Sequence, residues 1–557
     1  SLVPFESVPL VPVVVKLAKE HVADIMSNLV DGVSPRDIER PPNPEHGDLA
    51  FPVMGVADGR NPRGLAEELA EEFPETDLVD SVDVAGPGYL NFHLSFSELL
   101  DRVEGQLRSD GMGVEQQDGK VLVEFSSPNL AKPMHIGHLR NNCLGDSLHR
   151  ILDFAGYDAL SENYLGDWGT KHGQVIYAYR QFGSRKELMQ NPMEHMYDLY
   201  VRINREADEE TQEKAREWSR RIEEGDEEAT RLWKMFREFT LDHDMEDYQR
   251  MDIRFDRITG ESKVAEEAEE MLREGLEEGY LEEDDDGSIY AEFEYLPDVV
   301  LKRSDGSTLY LARDLANIKK RELEQFDRNL YVVANEQDLH FKQLFRLAER
   351  FGIGEEMESR HVSYGYLNIE GEESMSSSKG NIITMREVLD RAEEKAERIE
   401  DRQIDASEAV GLAAVKYGSL SVSRSKGIEF SWDRALSFEG ESGPYLQYSN
   451  TRARSILSEA DEAGENLGTL TEHEKRLVRE LAAFPDAVDS SVESLDPVKL
   501  ASYLSELCEA FNQFYHECPV LQADQKDTGR RLLLVELFRE VTDTGLDLLG
   551  IETLDEM

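Results

Sequence analysis

Glu124-Phe-Ser-Ser-Pro-Asn-Leu-Ala-Lys-Pro-Met-His-Ile-Gly-His138 reads as the end of a strand, a loop and the start of a helix. The run Lys120-Val-Leu-Val-Glu-Phe125 has the short, apolar, β-branched pattern of a buried strand. Downstream, Leu139, Cys143, Leu144, Leu148 and Ile151 recur at helical spacing. His135 and His138 therefore fall at a helix N-terminus, where free main-chain N–H groups and the helix dipole favour an anion such as phosphate. Gly137 removes a side chain where a nucleotide can approach closely. Two imidazoles three residues apart share a helical face and can donate hydrogen bonds to a phosphoryl group as charge moves onto it. Lys132 adds a point charge beside them. The same spacing also suits a metal pair or two surface histidines, but no third ligand is spaced nearby.

Working outward, residues 1–110 form a first unit. It has helical patterns at Val14 to Leu29 and Asn61 to Phe73, and a turn into a strand at Gly86-Pro-Gly-Tyr-Leu-Asn-Phe92. The apolar stretch Val8 to Val15 is short, carries Pro9 and Pro12 and lacks a basic leader, so it reads as packing or strand. Residues 111–390 read as a parallel α/β domain, with a charged helical insertion over about 180–256 that looks solvated. Strand signals resume near Tyr290, at Leu309-Tyr-Leu-Ala312 and at Asn329-Leu-Tyr-Val-Val-Ala334, each followed by helical periodicity. Residues 391–435 read as a helical linker and 436–557 as a helix bundle. The fold class is thus multidomain α/β with a Rossmann-like parallel sheet, an α+β N-terminal domain and a C-terminal bundle.

Composition sets further bounds. Against 61 Lys and Arg stand 116 Asp and Glu, a formal net charge of -55 spread along all 557 residues. Such a surface repels itself in dilute buffer, whereas at ~1 M salt the Debye length falls to about 3 Å and the repulsion is screened. The chain reads as one adapted to molar salt. No apolar run reaches the ~20 residues of a membrane span. Cys143, Cys508 and Cys518 form no CxxC pattern, which speaks for a reducing cytoplasm and against structural zinc.

The segment Ser126-Ser-Pro-Asn-Leu-Ala-Lys-Pro-Met-His-Ile-Gly-His-Leu-Arg140 closely resembles the HIGH signature of class I aminoacyl-tRNA synthetases in its arginyl-tRNA synthetase version. Asn163-Tyr-Leu-Gly-Asp-Trp-Gly-Thr170 resembles that family too, and the likeness runs along essentially the whole chain. It implies an arginine–tRNA ligase, here from a haloarchaeon, that makes arginyl-adenylate from L-arginine and Mg·ATP and passes arginine to the terminal ribose of tRNA(Arg). It also implies catalytic roles for His135, His138, Lys132 and Lys379. Tyr310 and Asp314, in Tyr310-Leu-Ala-Arg-Asp314, match the family's guanidinium pocket; Glu124, Ser126, Asn129 and Gln337 join them as substrate contacts. Glu124 sits in an apolar strand, and a buried carboxylate needs a partner, which substrate arginine would supply; a structural salt bridge is the alternative.

Gly137, Gly169, His361, Val362, Met375 and Ser376 fall on ATP-binding positions by the same resemblance. The second signature, KMSKS, is degenerate as Ser374-Met-Ser-Ser-Ser-Lys-Gly380, with serine at both usual lysine positions. In many arginyl enzymes a lysine placed like Lys132 is thought to replace the loss. For tRNA the resemblance offers Tyr89 and Asn91 in the N-terminal unit, and Tyr448, Arg452 and Arg454 in a DALR-type anticodon-binding bundle. An aromatic ring and an amide suit an unstacked base. The family habit is a monomer, with no membrane partner and no zinc. Counterion release weakens steeply with salt, so RNA binding by so acidic a chain must rest on shape, stacking and a few local cations. Lowering KCl from ~1 M to roughly 0.05 M by dialysis is expected to abolish the far-ultraviolet circular dichroism of the native fold; a spectrum unchanged throughout would contradict the salt adaptation.

Overall fold

The computed structural model describes residues 16–39, 41, 46–206, 208–372, 382–399, 406–460, 469–522 and 525–557, with main chain only for 525 and 526. Val8 to Val15, Met375, Ser376 and Lys379 lie outside the described residues.

In the N-terminal part, strands β1 (Leu49–Pro52), β2 (Val79–Ala85) and β3 (Tyr89–Leu94) pair antiparallel in the order β1-β3-β2. Helices Lys16–Leu29, Pro62–Glu72 and Phe96–Leu107 bury apolar faces beside them. Asn61 caps its helix by accepting from the Arg63 N–H (3.3 Å), with Pro62 at the first position. Gly88 turns the chain into β3 at φ 138°, and a Cβ there would lie 2.9 Å from the Pro62 main chain, so no other residue fits.

The catalytic-size domain is built on five parallel strands: β4 (Lys120–Glu124), β5 (Asp158–Leu165), β6 (Arg257–Gly260), and then β10 (Arg328–Ala334) and β11 (Glu358–Tyr364). Between these fall β7 (Glu282–Glu283), β8 (Ile289–Ala291) and β9 (Val299–Lys302), a small antiparallel sheet at the side. The parallel order is β11-β10-β4-β5-β6. Connections leave β4 to one side and β10 to the other, so the crevice at their carboxyl ends is a topological switch point. The helix Ile136–Phe154 starts from that crevice and buries Leu139, Cys143, Leu144, Leu148 and Ile151 against the sheet, as its periodicity predicts.

Three readings change. Leu309–Ala312 is not a strand: Leu309 caps the helix Tyr310–Leu323, and a four-residue apolar run cannot by itself separate the two states. The insertion is not merely solvated. Its helices, among them Pro192–Glu206, Glu209–Glu223 and Glu227–Arg250, enclose a core of their own that includes Ala131 from the signature loop. The region after Met385 is not all helical, since β12 (Leu367–Ile369) pairs in parallel with β13 (Ile428–Phe430).

The C-terminal bundle uses helices Ser407–Leu420, Gly443–Glu459, Glu472–Ala482, Phe484–Ser494, Val498–Glu517 and Gln525–Leu548. Phe511 and Phe538 stack face to face at 3.8 Å in its centre. The chain end docks on the signature helix. Ser147 Oγ donates to the Leu548 carbonyl (2.9 Å), and buried Lys416 donates to the carbonyls of Met251 (2.5 Å) and Gly550. Among the described residues, no helix is long and apolar enough to cross a membrane.

Candidate active site

The loop from β4 to the signature helix is strained and captured. Ser126, Ser127 and Ala131 hold φ of 70°, 48° and 60°, a conformation costing on the order of 1–3 kcal/mol each for residues with a Cβ. Each of their N–H groups is taken by a side chain from elsewhere. Ser126 donates to Asn141 Oδ1 (2.5 Å), Ser127 to Asn163 Oδ1 (3.2 Å) and Ala131 to Thr240 Oγ1 (3.0 Å). Asn141 also donates to the Val332 carbonyl (2.6 Å) and to Tyr364 Oη (3.1 Å), tying the loop to β10 and β11. The Ser126 hydroxyl is buried against Tyr248 Oη at 2.6 Å, so its side chain supports the loop and does not face a substrate.

The loop delivers two histidines as a cap. His135 Nδ1 accepts from the Gly137 N–H (3.0 Å), and His138 Nδ1 accepts from the His135 N–H (3.1 Å). With both Nδ1 lone pairs occupied, the hydrogen-bond pattern assigns the ring proton of each neutral imidazole to Nε2. Burial, and then Lys132, lowers the pKa of His135; burial, His135 and Lys132 hold His138 well below the usual imidazole range. Both rings are therefore neutral N–H donors near pH 7. Gly137 has a different reason from the one its spacing suggests: a Cβ would lie 2.7 Å from His135 Cε1. Glycine makes room for the capping ring.

Beside the histidines is a cavity of about 160 Å³ lined by Asn129, Lys132, Lys171, Tyr197 and both imidazoles, and closed by Pro133 and Ile382. Lys132 Nζ lies 3.9 Å from the Tyr200 ring centroid, and burial lowers its pKa. Asn129 bridges to the main chain of Gly166. Gly169 caps the helix Thr170–Phe182 at φ 104°, and Gln337 is exposed at the end of the turn that follows β10. His361 lies on the edge strand β11; its ring stacks on Phe341 at 4.2 Å, and Nε2–H donates to the Val333 carbonyl (2.9 Å). Two residues on, Ser363 turns its carbonyl outward to Arg424 (2.7 Å). By the strand period the main-chain groups of His361 face the same free edge, whereas Val362 is buried and turned toward β10.

An acidic group of side chains adjoins this cavity, with Lys171 Nζ 5.8 Å from the Tyr310 ring centroid. Tyr310 and Asp314 share a face of the helix Tyr310–Leu323, one turn apart. Tyr310 is 43% exposed, and Asp314 Oδ2 is 2.7 Å from His340 Nε2. Burial lifts Glu261 to about 8 against the nearby Arg313, with Asp314 and Asp167 adding to the shift. Tyr164 Oη is buried without a partner among the described residues, in the field of Asp314, Glu261 and Glu124. Carboxylates so placed attract a cation.

Glu124 does not wait for substrate to be paired. Its partner is already in the chain: Arg321, wholly buried, donates to Glu124 (2.5 Å) and to Glu162. Burial still pushes Glu124 up to about 7, opposed by Arg321 and aided by Glu162 and Asp314. Arg321 is shared between the two carboxylates. Arg321 was legible only as a charged residue on the apolar face of its helix, two turns beyond Asp314. Lys171, one residue past the second motif, also went unread, as did Tyr164, Tyr197 and His340.

The RNA-facing expectations divide. Arg452 lies between the rings of Tyr448 (4.7 Å) and Tyr515 (4.8 Å), with no carboxylate at ion-pair distance among the described residues. Arg454 turns to another face and is held by Asp543 (2.7 Å) and Asp555 (3.5 Å), so it ties the bundle together. Tyr89 is half-buried, but Asn91 is only 4% exposed and does not present its amide to solvent. Among the described residues, no cluster of three His, Cys, Asp or Glu could hold a metal ion. Replacing Arg321 with Met leaves buried Glu124 unpaired, while Glu162 keeps its ion pair with Arg257, and the expected cost is about 3–5 kcal/mol in urea unfolding at molar KCl; a loss under ~1 kcal/mol would mean that the pair is not structural.

Family models match three stretches of the chain. They are described as the catalytic domain of class I (R) tRNA synthetases over residues 102–432, the DALR anticodon binding domain over 446–557, and the arginyl tRNA synthetase N terminal domain over 16–94. The arginine–tRNA ligase of Halothermothrix orenii is 36% identical across 97% of this chain and 99% of its own. That of Halobacterium salinarum is 34% identical across 92% and 94%. The arginyl-tRNA synthetase structure from Thermus thermophilus shares the fold with a TM-score of 0.78 at 27% identity, covering 98% of this chain and all of its own. With the signature loop, parallel sheet and helical bundle in this arrangement, the chain belongs to the class I arginyl-tRNA synthetases, the arginine–tRNA ligases.

Proposed function

We propose that the acidic pocket and the donor-lined cavity work together as the two halves of an arginine-activating site. The observation that carries this reading is that the two adjoin: Lys171, which lines the cavity, lies 5.8 Å from the Tyr310 ring centroid. Tyr310 and Asp314 receive the guanidinium, whose permanent charge and planar fork suit a carboxylate. Asn129 and Gln337 hold the amino and carboxylate end, and the His361 main chain at the edge of β11 meets adenine. The arginine carboxylate attacks the α-phosphorus of ATP, which enters with its Mg²⁺ as substrate. A new O–P bond forms, and the electron pair of the old Pα–O bond leaves on pyrophosphate. The terminal ribose 2′-hydroxyl of tRNA(Arg) then attacks the arginyl carbonyl and AMP departs. His135, His138 and Lys132 stabilise phosphoryl charge by hydrogen bonding and point charge, with no protein nucleophile.

Arg452, held between Tyr448 and Tyr515, offers tRNA a cation and stacking faces. The acidic composition supports work in a salty cytoplasm as a monomer. The charging of tRNA in ~1 M KCl with each of the twenty amino acids tests the assignment: arginine alone should be esterified. Asp314→Asn should raise the arginine KM about 100-fold, in keeping with the loss of a charged hydrogen-bond partner. Charging of another amino acid, or an unchanged arginine KM, would overturn the reading.

The neutral histidines make a pH prediction. A depressed pKa keeps an imidazole unprotonated to below its ordinary value of ~6.5. The single-turnover rate of adenylate formation should therefore show no histidine step as pH falls from about 8 to 6.5. A step centred near 6.5, lost in a His135→Asn variant, would show that one ring works protonated.

A further inference from the structure

The cavity beside the histidines contains more cation than the signature accounts for. None of its lining residues among the described residues is acidic, in a chain that carries 116 Asp and Glu. Two ammonium groups, Lys132 and Lys171, share it, and neither has a carboxylate within ion-pair distance among the described residues. The Tyr197 hydroxyl, from the insertion helix Pro192–Glu206, is buried there with no hydrogen-bond partner among the described residues. An unpaired buried hydroxyl costs free energy that a ligand acceptor would recover. With the two imidazole Nε2–H groups the wall presents donors from five side chains. Its volume of about 160 Å³ is several water volumes but well short of the ~300 Å³ of a drug-sized pocket. That suits a compact anion and not a nucleoside.

Resting on the arginine-activating reading above, we propose that Lys171 and Tyr197 are catalytic residues that bind the diphosphate leaving group. The chain lacks both usual lysines of its second signature, where Ser374 and Ser377 stand. Ile382, which closes the cavity, follows that degenerate segment by only a few residues. The missing charge is thus made up from other elements: Lys132 on the loop, Lys171 on the first turn of the helix Thr170–Phe182, and the Tyr197 hydroxyl on the insertion. As the Pα–O bond breaks, its electron pair passes to the β-phosphoryl oxygen, and these donors meet the charge that develops there. Lys171 Nζ lies 5.8 Å from the Tyr310 ring centroid, which places this cation at the junction of the two half-sites.

The test uses the full chain with tRNA(Arg) in ~1 M KCl and reads ATP–pyrophosphate exchange. Lys171→Met should raise the KM for pyrophosphate and lower the exchange rate by about 10- to 100-fold, with the arginine KM held within about twofold. Lys171→Arg should recover much of the loss. Tyr197→Phe should show a smaller change in the same direction, about three- to tenfold. Circular dichroism of each variant separates these effects from misfolding; Lys171 is exposed at the cavity mouth, so its replacement should leave the spectrum unchanged. If both variants exchange pyrophosphate like the parent chain, the proposal falls. It falls too if the arginine KM rises while the pyrophosphate KM stays put, because Lys171 would then serve the carboxylate. A parent chain that charges arginine in the same preparation keeps the functional reading intact whatever the variants do; a parent that charges nothing sinks that reading instead.

Discussion

Asn141 makes three hydrogen bonds from one buried amide, and the site is arranged around them. Its oxygen takes the N–H of Ser126, and its nitrogen gives to the Val332 carbonyl and to Tyr364. The loop it captures runs through positive φ at three residues that carry a Cβ. Free of these contacts, those residues would relax toward ordinary backbone, because the strained form persists only where neighbours over-determine it. The capture draws on the signature helix, β5 through Asn163, and the insertion through Thr240 and Tyr248. The insertion is therefore part of the active-site wall, which explains why its core takes in Ala131.

The position of His135 follows from that loop. It enters the helix as a cap, in the role more often given to serine or aspartate, and His138 closes the reciprocal bond. Capping fixes each ring by its Nδ1 and turns the other nitrogen outward as a donor. The same arrangement explains Gly137, whose missing Cβ is the space the His135 ring occupies. One set of hydrogen bonds thus starts the helix, selects the tautomers and aims the chemistry.

Charge is partitioned between two adjoining groups. In a chain with a net charge of -55, no carboxylate lines the cavity beside the histidines among the described residues, while Asp314, Glu261 and Glu124 act on Tyr164. Arg321 is the internal counterweight, a buried guanidinium holding Glu124 and Glu162, which stand opposite each other on the neighbouring strands β4 and β5. Asp314 lies outside that pair, against His340 Nε2 at 2.7 Å.

The sequence by itself determined the parallel sheet, the helix behind the two histidines, the terminal bundle and the acidic charge balance. Those features are written in local periodicity, in residue type at fixed spacing, and in composition, none of which needs a distant contact. It misread Leu309–Ala312, because four apolar residues satisfy a strand and a helix start equally. Only the tertiary structure decided that Arg321 neutralises Glu124, that Arg454 serves the bundle, and that Lys171 and Tyr197 share the cavity with His135. Each of these depends on residues dozens to hundreds of positions apart, or on which side of a helix a charge is turned to. Partner choice for a buried charge is settled by burial and distance in three dimensions, and no pattern along the chain encodes it.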